Sequence, residues 1–201
     1  MPRKNRSYKS KEGYFRDSFF LIIACEGAKR EKEYFQALIG KNQRIKLFVL
    51  APENEDHGKS APKWVLDRAA KYEEKYGLSG EDQLWLVMDV DRWDISVLRE
   101  MARYAKEKDQ WGLAISNPCF EVWLLAHYMD LTIGRIQKCK DLKSLLGRTT
   151  EDGYDLKDVL TRTQAAIDQM QAKDSTPQHF LPKPMHTKLY QLVASVKENI
   201  K

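Results

Sequence analysis

Four short hydrophobic segments in the first 120 residues predict the strands of a sheet. They cover residues 19–24, 45–50, 84–88 and 113–116, and the first is an unbroken run of apolar residues. Runs this short and this rich in strand-forming residues are typical of strands that are covered on both faces, as in a parallel sheet. The hydrophobic pattern therefore predicts a sheet that lies between two layers of helices.

Between these strands, apolar residues recur every three or four positions, which is typical of helices that bury one face. Asn117-Pro118 places an N-cap residue before a proline at the first helical position, so we expect the fourth strand to lead directly into a helix. Alternating strands and helices predict an α/β fold with a mostly parallel sheet and helices on both faces. The predicted helices cover residues 29–39, 62–76, 95–105 and a stretch that begins at residue 118.

Beyond residue 131 the strand pattern stops and only helices are predicted, over residues 140–146, 156–170 and 186–199. Residues 173–184 contain three prolines and are expected to form a linker loop. A chain of 201 residues fits one domain. We divide it into a basic N-terminal arm (1–17), an α/β core (18–130) and a helical C-terminal part of the same domain (131–201).

The composition narrows the class of protein. Hydrophobic residues make up 42% and charged residues 31%, which is typical of globular domains. No apolar stretch is long enough to cross a bilayer, so we do not expect a membrane protein. The N-terminus lacks the apolar core of a secretory signal, so we expect the protein to stay in the cytoplasm. Cys25, Cys119 and Cys139 are widely spaced and odd in number, which predicts buried reduced thiols rather than disulfides or a zinc site.

The net charge of +5 is compatible with a polyanionic partner such as nucleic acid. Much of the excess lies in the N-terminal arm, which a solvated disordered tail explains equally well. The basic residues of this arm are Arg3, Lys4, Arg6, Lys9, Lys11 and Arg16, against the single acid Glu12.

Acidic residues follow the predicted strands. Glu26 ends the first strand, Asp89 and Asp91 end the third, and Glu121 lies shortly after the fourth. In an open parallel sheet the carboxyl ends of the strands meet at one edge, where ligands bind, so we expect these four carboxylates to converge. Residues two apart on a strand point to the same face, which would let Asp89 and Asp91 share one cation. Mg²⁺ prefers such carboxylate ligands together with water and phosphate oxygens.

Each acid also has an ordinary structural interpretation. Glu26-Gly27 is compatible with an exposed turn, and Asp91 with a cap for the next helix. Glu121 would be a favourable charge at a helix N-terminus. These ordinary interpretations are less convincing when the acids are considered jointly, because each acid lies at the same end of its own strand.

Several motifs are distributed over nearly the whole chain, namely Cys25-Glu26-Gly27 with Glu31 and Tyr34-Phe35, Asp89-Val90-Asp91, the block over residues 116–127 and, more weakly, Gly153-Tyr154 with Lys157 and Pro184-Met185-His186-Thr187. Through these motifs the chain resembles the RloB-like proteins over nearly its whole length. This resemblance implies a Toprim-like fold and a nuclease that acts on DNA or RNA, tRNA included, with Mg²⁺ or Mn²⁺. It also implies anti-phage defence by restriction or abortive infection, together with an ABC- or AAA-type ATPase encoded nearby. The Toprim pattern assigns the metal to Glu26, Asp89 and Asp91, with Glu121 as a further acid of the catalytic cleft.

Five further residues are candidates for substrate binding. Lys29 and Arg30 lie at the start of a helix, where the free amides favour phosphate, although the family usually has threonine at the position of Arg30. Trp93, beside the aspartate pair, is a candidate for stacking on a base. The weaker motifs add Lys157 and His186, and His186 is expected to be more open than His127, whose position on an apolar helix face predicts a packed histidine.

Three alternatives stay open at this level. Residues 56–60 end like a phosphate-binding P-loop, but Glu53 replaces the leading glycine, which argues against an NTPase. A haloacid-dehalogenase-like phosphatase also places Asp-x-Asp after a strand, but after its first core strand and with Thr or Val where this chain has Trp93. A non-catalytic module that binds nucleic acid or an ATPase is the third alternative. A homodimer is compatible with the sequence, but no motif specifies one.

Overall fold

The computed structural model describes residues 18–27, 29–52, 61–131, 138–149 and 154–200. The described strands β1 to β5 form one sheet in the order β2-β1-β3-β4-β5, in which β1 to β4 are parallel and β5 runs antiparallel to β4. The strands are β1 (Phe19–Cys25), β2 (Ile45–Leu50), β3 (Gln83–Asp89), β4 (Trp111–Asn117) and β5 (His186–Thr187). The helices are α1 (Arg30–Ile39), α2 (Pro62–Tyr76), α3 (Ile95–Lys106), α4 (Glu121–Ala126), α5 (Cys139–Leu146), α6 (Leu156–Thr161), α7 (Thr163–Lys173) and α8 (Leu189–Ile200).

Helices cover both faces of the sheet, which confirms the predicted α/β class and is consistent with a Toprim-like fold. Strand β1 shows why its sequence is apolar without interruption, since every side chain from Leu21 to Cys25 is fully buried. Leu21 and Ile23 pack with α1, α4 and the C-terminal helices, whereas Ile22 and Ala24 pack with α2 and α3. A polar side chain at any of these positions would therefore have no access to water.

The strand order creates a crevice between β1 and β3. These neighbouring strands are followed by α1 and α3, which pack on opposite faces of the sheet. The chain thus leaves the two strands in opposite directions, and a gap opens beyond their carboxyl ends. Doubly wound sheets bind ligands at this switch in connection. Glu26 and Asp89 lie at this point.

Two predicted boundaries were wrong around the loops after β3 and β4. Strand β3 ends at Asp89 and the chain turns at once, so Asp91 does not continue the strand. Asn117 is the last residue of β4 and is joined to Pro118 by a cis peptide bond, and α4 begins only at Glu121. The reason is tertiary: the carbonyl oxygen of Pro118 accepts hydrogen bonds from the amides of residues 90 and 91, at 3.0 and 3.1 Å.

The C-terminal part also differs from the prediction of helices alone. His186 and Thr187 form β5, because the side of β4 away from β3 still offers backbone groups for pairing. The predicted helix over residues 156–170 is two helices, α6 and α7, which meet at Arg162. The segment between α7 and β5 contains no helix or strand, as predicted. It is held by Lys188, a fully buried lysine whose ammonium group lies 2.5 Å from Asp174.

Some sequence predictions lie outside the described residues, namely those for the N-terminal arm, residues 56–60 and Gly153. Within the described part, no helix is long and apolar enough to span a membrane. The three cysteines are free thiols. Cys25 and Cys119 are buried as predicted, and Cys139 is half-buried.

Candidate active site

A pocket of about 260 Å³ lies beyond the carboxyl ends of β1 and β3. Its volume is several times that of a water molecule, which leaves room for a hydrated ion and one phosphate group. The structure brings together all four carboxylates named from the sequence and adds a fifth, Glu31. The acidic residues that line it are Glu26, Glu31, Asp89, Asp91 and Glu121, and the others are Gly27, Lys29, Arg30, Arg92, Phe120 and Lys143.

Glu26 follows β1 and is fixed at both its backbone and its side chain. Its amide donates to the carbonyl oxygen of Val87 on β3 at 3.2 Å, which holds the two strand ends together. The indole N–H of Trp93 donates to Oε2 of Glu26 at 3.0 Å. Burial raises the pKa of Glu26, and the hydrogen bond from Trp93 lowers it. The negative charge of Asp91 raises the pKa further. Trp93 thus orients a carboxylate, and its predicted contact with substrate stays a prediction.

Glu31 lies in the first turn of α1 and is 7% exposed. Its carboxylate lies so close to Gly27 that a Cβ atom at residue 27 would collide with both oxygens. Burial raises the pKa of Glu31, and the charges of Glu121 and Glu26 raise it further, against bonds from the amides of residues 31 and 27. From the sequence, Glu31 was predicted only as part of a motif and not as a residue of the site. The one feature that could have identified it is its position four residues after Gly27.

Asp89 is the carboxylate most strongly affected by its surroundings. Burial raises its pKa well above the usual range, and the charges of Glu31, Glu26, Glu121 and Asp91 raise it further, in that order. Glu26 and Glu31 follow β1, Asp91 lies two residues after Asp89, and Glu121 begins α4, so the sheet and the turns around it bring these charges together. A partly buried cluster of like charges is unfavourable unless a cation offsets it.

Asp91 reaches the same pocket from the turn after β3. Its Oδ2 lies 3.8 Å from Nε of Arg92, and its carboxylate is 24% exposed. The expectation that Asp89 and Asp91 share a face was based on strand periodicity, which ends at Asp89. The turn, rather than the strand, brings the second aspartate to the pocket.

Glu121 begins α4 and is 4% exposed. Its carboxylate pairs with the guanidinium group of Arg30. Arg30 therefore compensates a buried acid, and its side chain keeps 38% of its surface exposed toward the pocket. The predicted phosphate contact of Arg30 stays a prediction.

The donor chemistry of the pocket fits a hard divalent cation. Among the described residues, no three carboxylate, imidazole or thiol groups already converge where a metal ion could be held. Mg²⁺ does not require such a preformed set, because proteins bind it through one or two carboxylates, with water and substrate oxygens as the other ligands. Glu26, Asp89 and Asp91 offer that chemistry at the pocket.

The remaining candidates are placed differently. Lys29 lines the pocket and is exposed, 4.0 Å from Glu33. Lys157 is exposed on α6 and is not among the residues that line this pocket. The expectation that His186 is open was wrong, since it is buried in β5 with Nε2 2.8 Å from the carbonyl oxygen of Met170. The packed interpretation of His127 is confirmed: it is buried, and burial lowers its pKa to about 4.

Lys143 lines the pocket from α5 and was not predicted from the sequence. No local pattern pointed to it, because lysines on the exposed side of a helix are common. Lys143 brings positive charge to the rim of the acidic pocket. It reaches this position because α5 packs against α4.

We expect the effect of Mg²⁺ on the stability of this protein to depend on pH. The pKa values of Glu26, Glu31 and Asp89 are raised in the folded state, so their ionisation lowers the free energy of unfolding as pH rises above about 4. Mg²⁺ binds only the ionised groups, so the increase in melting temperature that it causes should grow from pH 5 to pH 8. At a hundredfold excess over its dissociation constant the gain is about 2.7 kcal/mol, or roughly 5–10 °C for a chain of this size.

The measurement is thermal unfolding with and without Mg²⁺ at each pH, with K⁺ at the same ionic strength as the control. Melting temperatures with and without Mg²⁺ must be compared at each pH separately, because the buried residues His127 and His186 also make stability depend on pH. Their pKa values are lowered in the folded state, so the free energy of unfolding rises with pH until the pH passes the ordinary pKa of histidine. An Mg²⁺ effect that is equal at pH 5 and pH 8 would contradict the prediction.

Comparison with known proteins adds one finding. The model of a family described as RloB-like protein matches residues 21–196. This range includes every residue that lines the acidic pocket. No curated protein and no solved structure matched the chain.

Proposed function

The chain belongs to the RloB-like family, and from this premise and its acidic pocket we propose that it is a divalent-metal-dependent nuclease of the Toprim type. The proposed substrate is DNA or RNA, with tRNA included. The proposed role in anti-phage defence, with an ABC- or AAA-type ATPase as partner, is based on the family resemblance.

One observation carries the proposal. Five carboxylates line a single pocket at the switch point of the sheet, and they come from the end of β1, from α1, from β3, from the turn after β3 and from α4. Burial raises the pKa of Asp89, Glu31 and Glu26, and the charges of neighbouring acids raise it further. Clusters of perturbed carboxyl groups in a cleft are common at catalytic sites and uncommon on inert surfaces.

In the proposed mechanism Glu26, Asp89 and Asp91 hold Mg²⁺ or Mn²⁺. When bound, the metal activates water and stabilises the leaving oxygen of a phosphodiester. Trp93 keeps Glu26 in position through its indole N–H. Glu31 has a raised pKa and is suited to take up or release a proton near the reacting phosphate. Lys29, Arg92 and Lys143 bring positive charge to the same rim, where substrate phosphates would enter.

The test is incubation of the full chain with single- and double-stranded DNA and RNA in Mg²⁺, Mn²⁺ or EDTA. We expect cleavage that requires the metal and falls by about 10²–10³-fold in Glu26→Gln, which keeps the acceptor for Trp93 but lacks the charge. Glu100→Gln, at an exposed position of α3, is the matched control and should cleave normally.

A second arm with p-nitrophenyl phosphate separates the nuclease from a phosphatase. Hydrolysis of this monoester without any cleavage of nucleic acid would favour a phosphatase. Nucleic-acid binding that ignores both the metal and Glu26→Gln, with no cleavage, would favour a non-catalytic module.

A further inference from the structure

A second cavity, of about 520 Å³, lies beside the acidic pocket and has the opposite charge. It contains four cationic side chains and one carboxylate. The two cavities share Asp91, Arg92 and Lys143, so they form one continuous surface that is acidic at one end and basic at the other. The residues that line the basic cavity are Asp91, Arg92, Pro118, Lys138, Cys139, Lys140 and Lys143.

The lysines of this cavity are held by a packed helix. Leu142 and Leu146 are buried and fix α5 against the core that α4 enters. Lys140 and Lys143 are three residues apart, so they lie on the same side of α5. Lys138 precedes the helix, and its carbonyl oxygen accepts from the amide of Leu142 at 3.2 Å. The charges therefore lie on a rigid element beside the pocket and not on a free tail.

Within the described ranges, none of the three lysines forms an ion pair. In the part of the chain that the structure describes, Arg92 forms one ion pair, with Asp91 at 3.8 Å. Several other lysines of the protein do have acidic partners, so the lack of partners here is local. Like charges gathered around one cavity repel each other, and a bound anion removes that repulsion. Among the described residues, the lysines with acidic partners are Lys29, Lys71, Lys108, Lys173 and Lys188.

We propose that Arg92, Lys138, Lys140 and Lys143 form a phosphate subsite that binds the nucleic-acid strand on one side of the scissile phosphodiester. The proposal rests on the proposed nuclease function, because it uses the acidic pocket as the place of cleavage. A strand with one phosphate in the acidic pocket continues into the basic cavity through the residues that the two share. Lysine and arginine contacts to the backbone do not depend on base identity, so this subsite accepts both DNA and RNA.

The subsite predicts weaker, less salt-dependent binding when its lysines are neutralised. Each lysine that contacts a phosphate of a single strand contributes about 0.7 to the slope of log K against log salt. The variant Lys138→Gln/Lys140→Gln should therefore lower that slope by about 1.4. The measurement is fluorescence anisotropy with labelled 12-nucleotide DNA and RNA strands in EDTA, so that binding is observed without cleavage.

The matched control is Lys46→Gln/Lys71→Gln, which removes the same net charge from exposed positions on β2 and α2. We expect its slope to stay within error of the wild type. Equal slopes for the two double variants would overturn the subsite, since the lysines of α5 would then act only through net charge. Failure of the wild type to bind either strand would overturn it as well, and would leave an acidic protein surface as the alternative occupant.

The two proposals fail separately. Loss of slope in Lys138→Gln/Lys140→Gln with no metal-dependent cleavage supports the subsite and overturns the nuclease. Cleavage that depends on Glu26 with no specific loss of slope supports the nuclease and overturns the subsite.

Discussion

Asp89→Asn should lower metal-dependent cleavage by about 10²–10³-fold and leave the metal-free protein at least as stable as the wild type. The loss of activity follows from removal of a charged ligand of the proposed metal. The gain in stability follows from the raised pKa of Asp89, which shows that its ionised form is unfavourable in the folded protein. Asparagine has the same shape without the charge, so the cost of burying that charge and the repulsion from the other four carboxylates are both removed.

The control for this variant lies at the other end of the same strand. Asp82 directly precedes β3 and is 3% exposed, and it accepts from the amide of Phe20 at 2.7 Å and from the amide of Ser79 at 3.0 Å. Asparagine keeps only one acceptor oxygen, so Asp82→Asn should cost about 1–3 kcal/mol. That corresponds to roughly 2–12 °C in melting temperature for a chain of this size. Its cleavage activity should be normal at temperatures where it is folded.

Thermal unfolding in EDTA and cleavage rates in Mg²⁺, measured on both variants, test the pair. The two aspartates should show opposite effects, with activity lost at residue 89 and stability lost at residue 82. A strongly destabilised Asp89→Asn would indicate that Asp89 is a structural residue, and an active one would remove it from the metal site.

Gly27→Ala should reduce cleavage on the order of 10²-fold, because a displacement of about 1 Å in a catalytic group has that effect. The added methyl group would collide with the carboxylate oxygens of Glu31. Glu31 is buried and packed against Gly27, so its carboxylate must move when the methyl group is added. Overpacking of this kind also destabilises, by about 1–3 kcal/mol.

Gly147→Ala is the matched control. Gly147 follows α5 at φ −65°, and the nearest atom to an added Cβ is the carbonyl oxygen of Lys143 at 3.6 Å, which is an ordinary contact. This substitution should be neutral or stabilise by about 0.4–1 kcal/mol through the unfolded state.

Shortening Glu31 tests whether its contact with residue 27 causes the loss. In a Glu31→Ala background the methyl group of Gly27→Ala meets no carboxylate, so its effect on stability should shrink, with a coupling of about 0.5–3 kcal/mol. An equal cost of Gly27→Ala in both backgrounds would show that backbone conformation, and not Glu31, requires glycine. The measurement is a double-mutant cycle on the free energy of unfolding in denaturant.

The sequence by itself determined the framework of the fold and the place of its site. The bounds of β2 and α2 were predicted as the structure has them, and β1 and β3 to within one residue at each end. These features depend on periodicity and on breakers such as Pro62 that act over a few residues. Glu26 and Asp89 could be assigned to one edge because parallel strands direct their carboxyl ends the same way.

Only the tertiary structure decided how the side chains of the site are partnered. Trp93 and Glu26 are 67 residues apart, and Arg30 and Glu121 are 91 apart, so no local pattern relates them. The same holds for the burial of His186, since β5 exists only because β4 offers an edge to pair with. Spacing along the chain determines which face of an element a residue occupies. Contacts between elements depend on their packing, which brings the five carboxylates together and sets the lysines of α5 beside them.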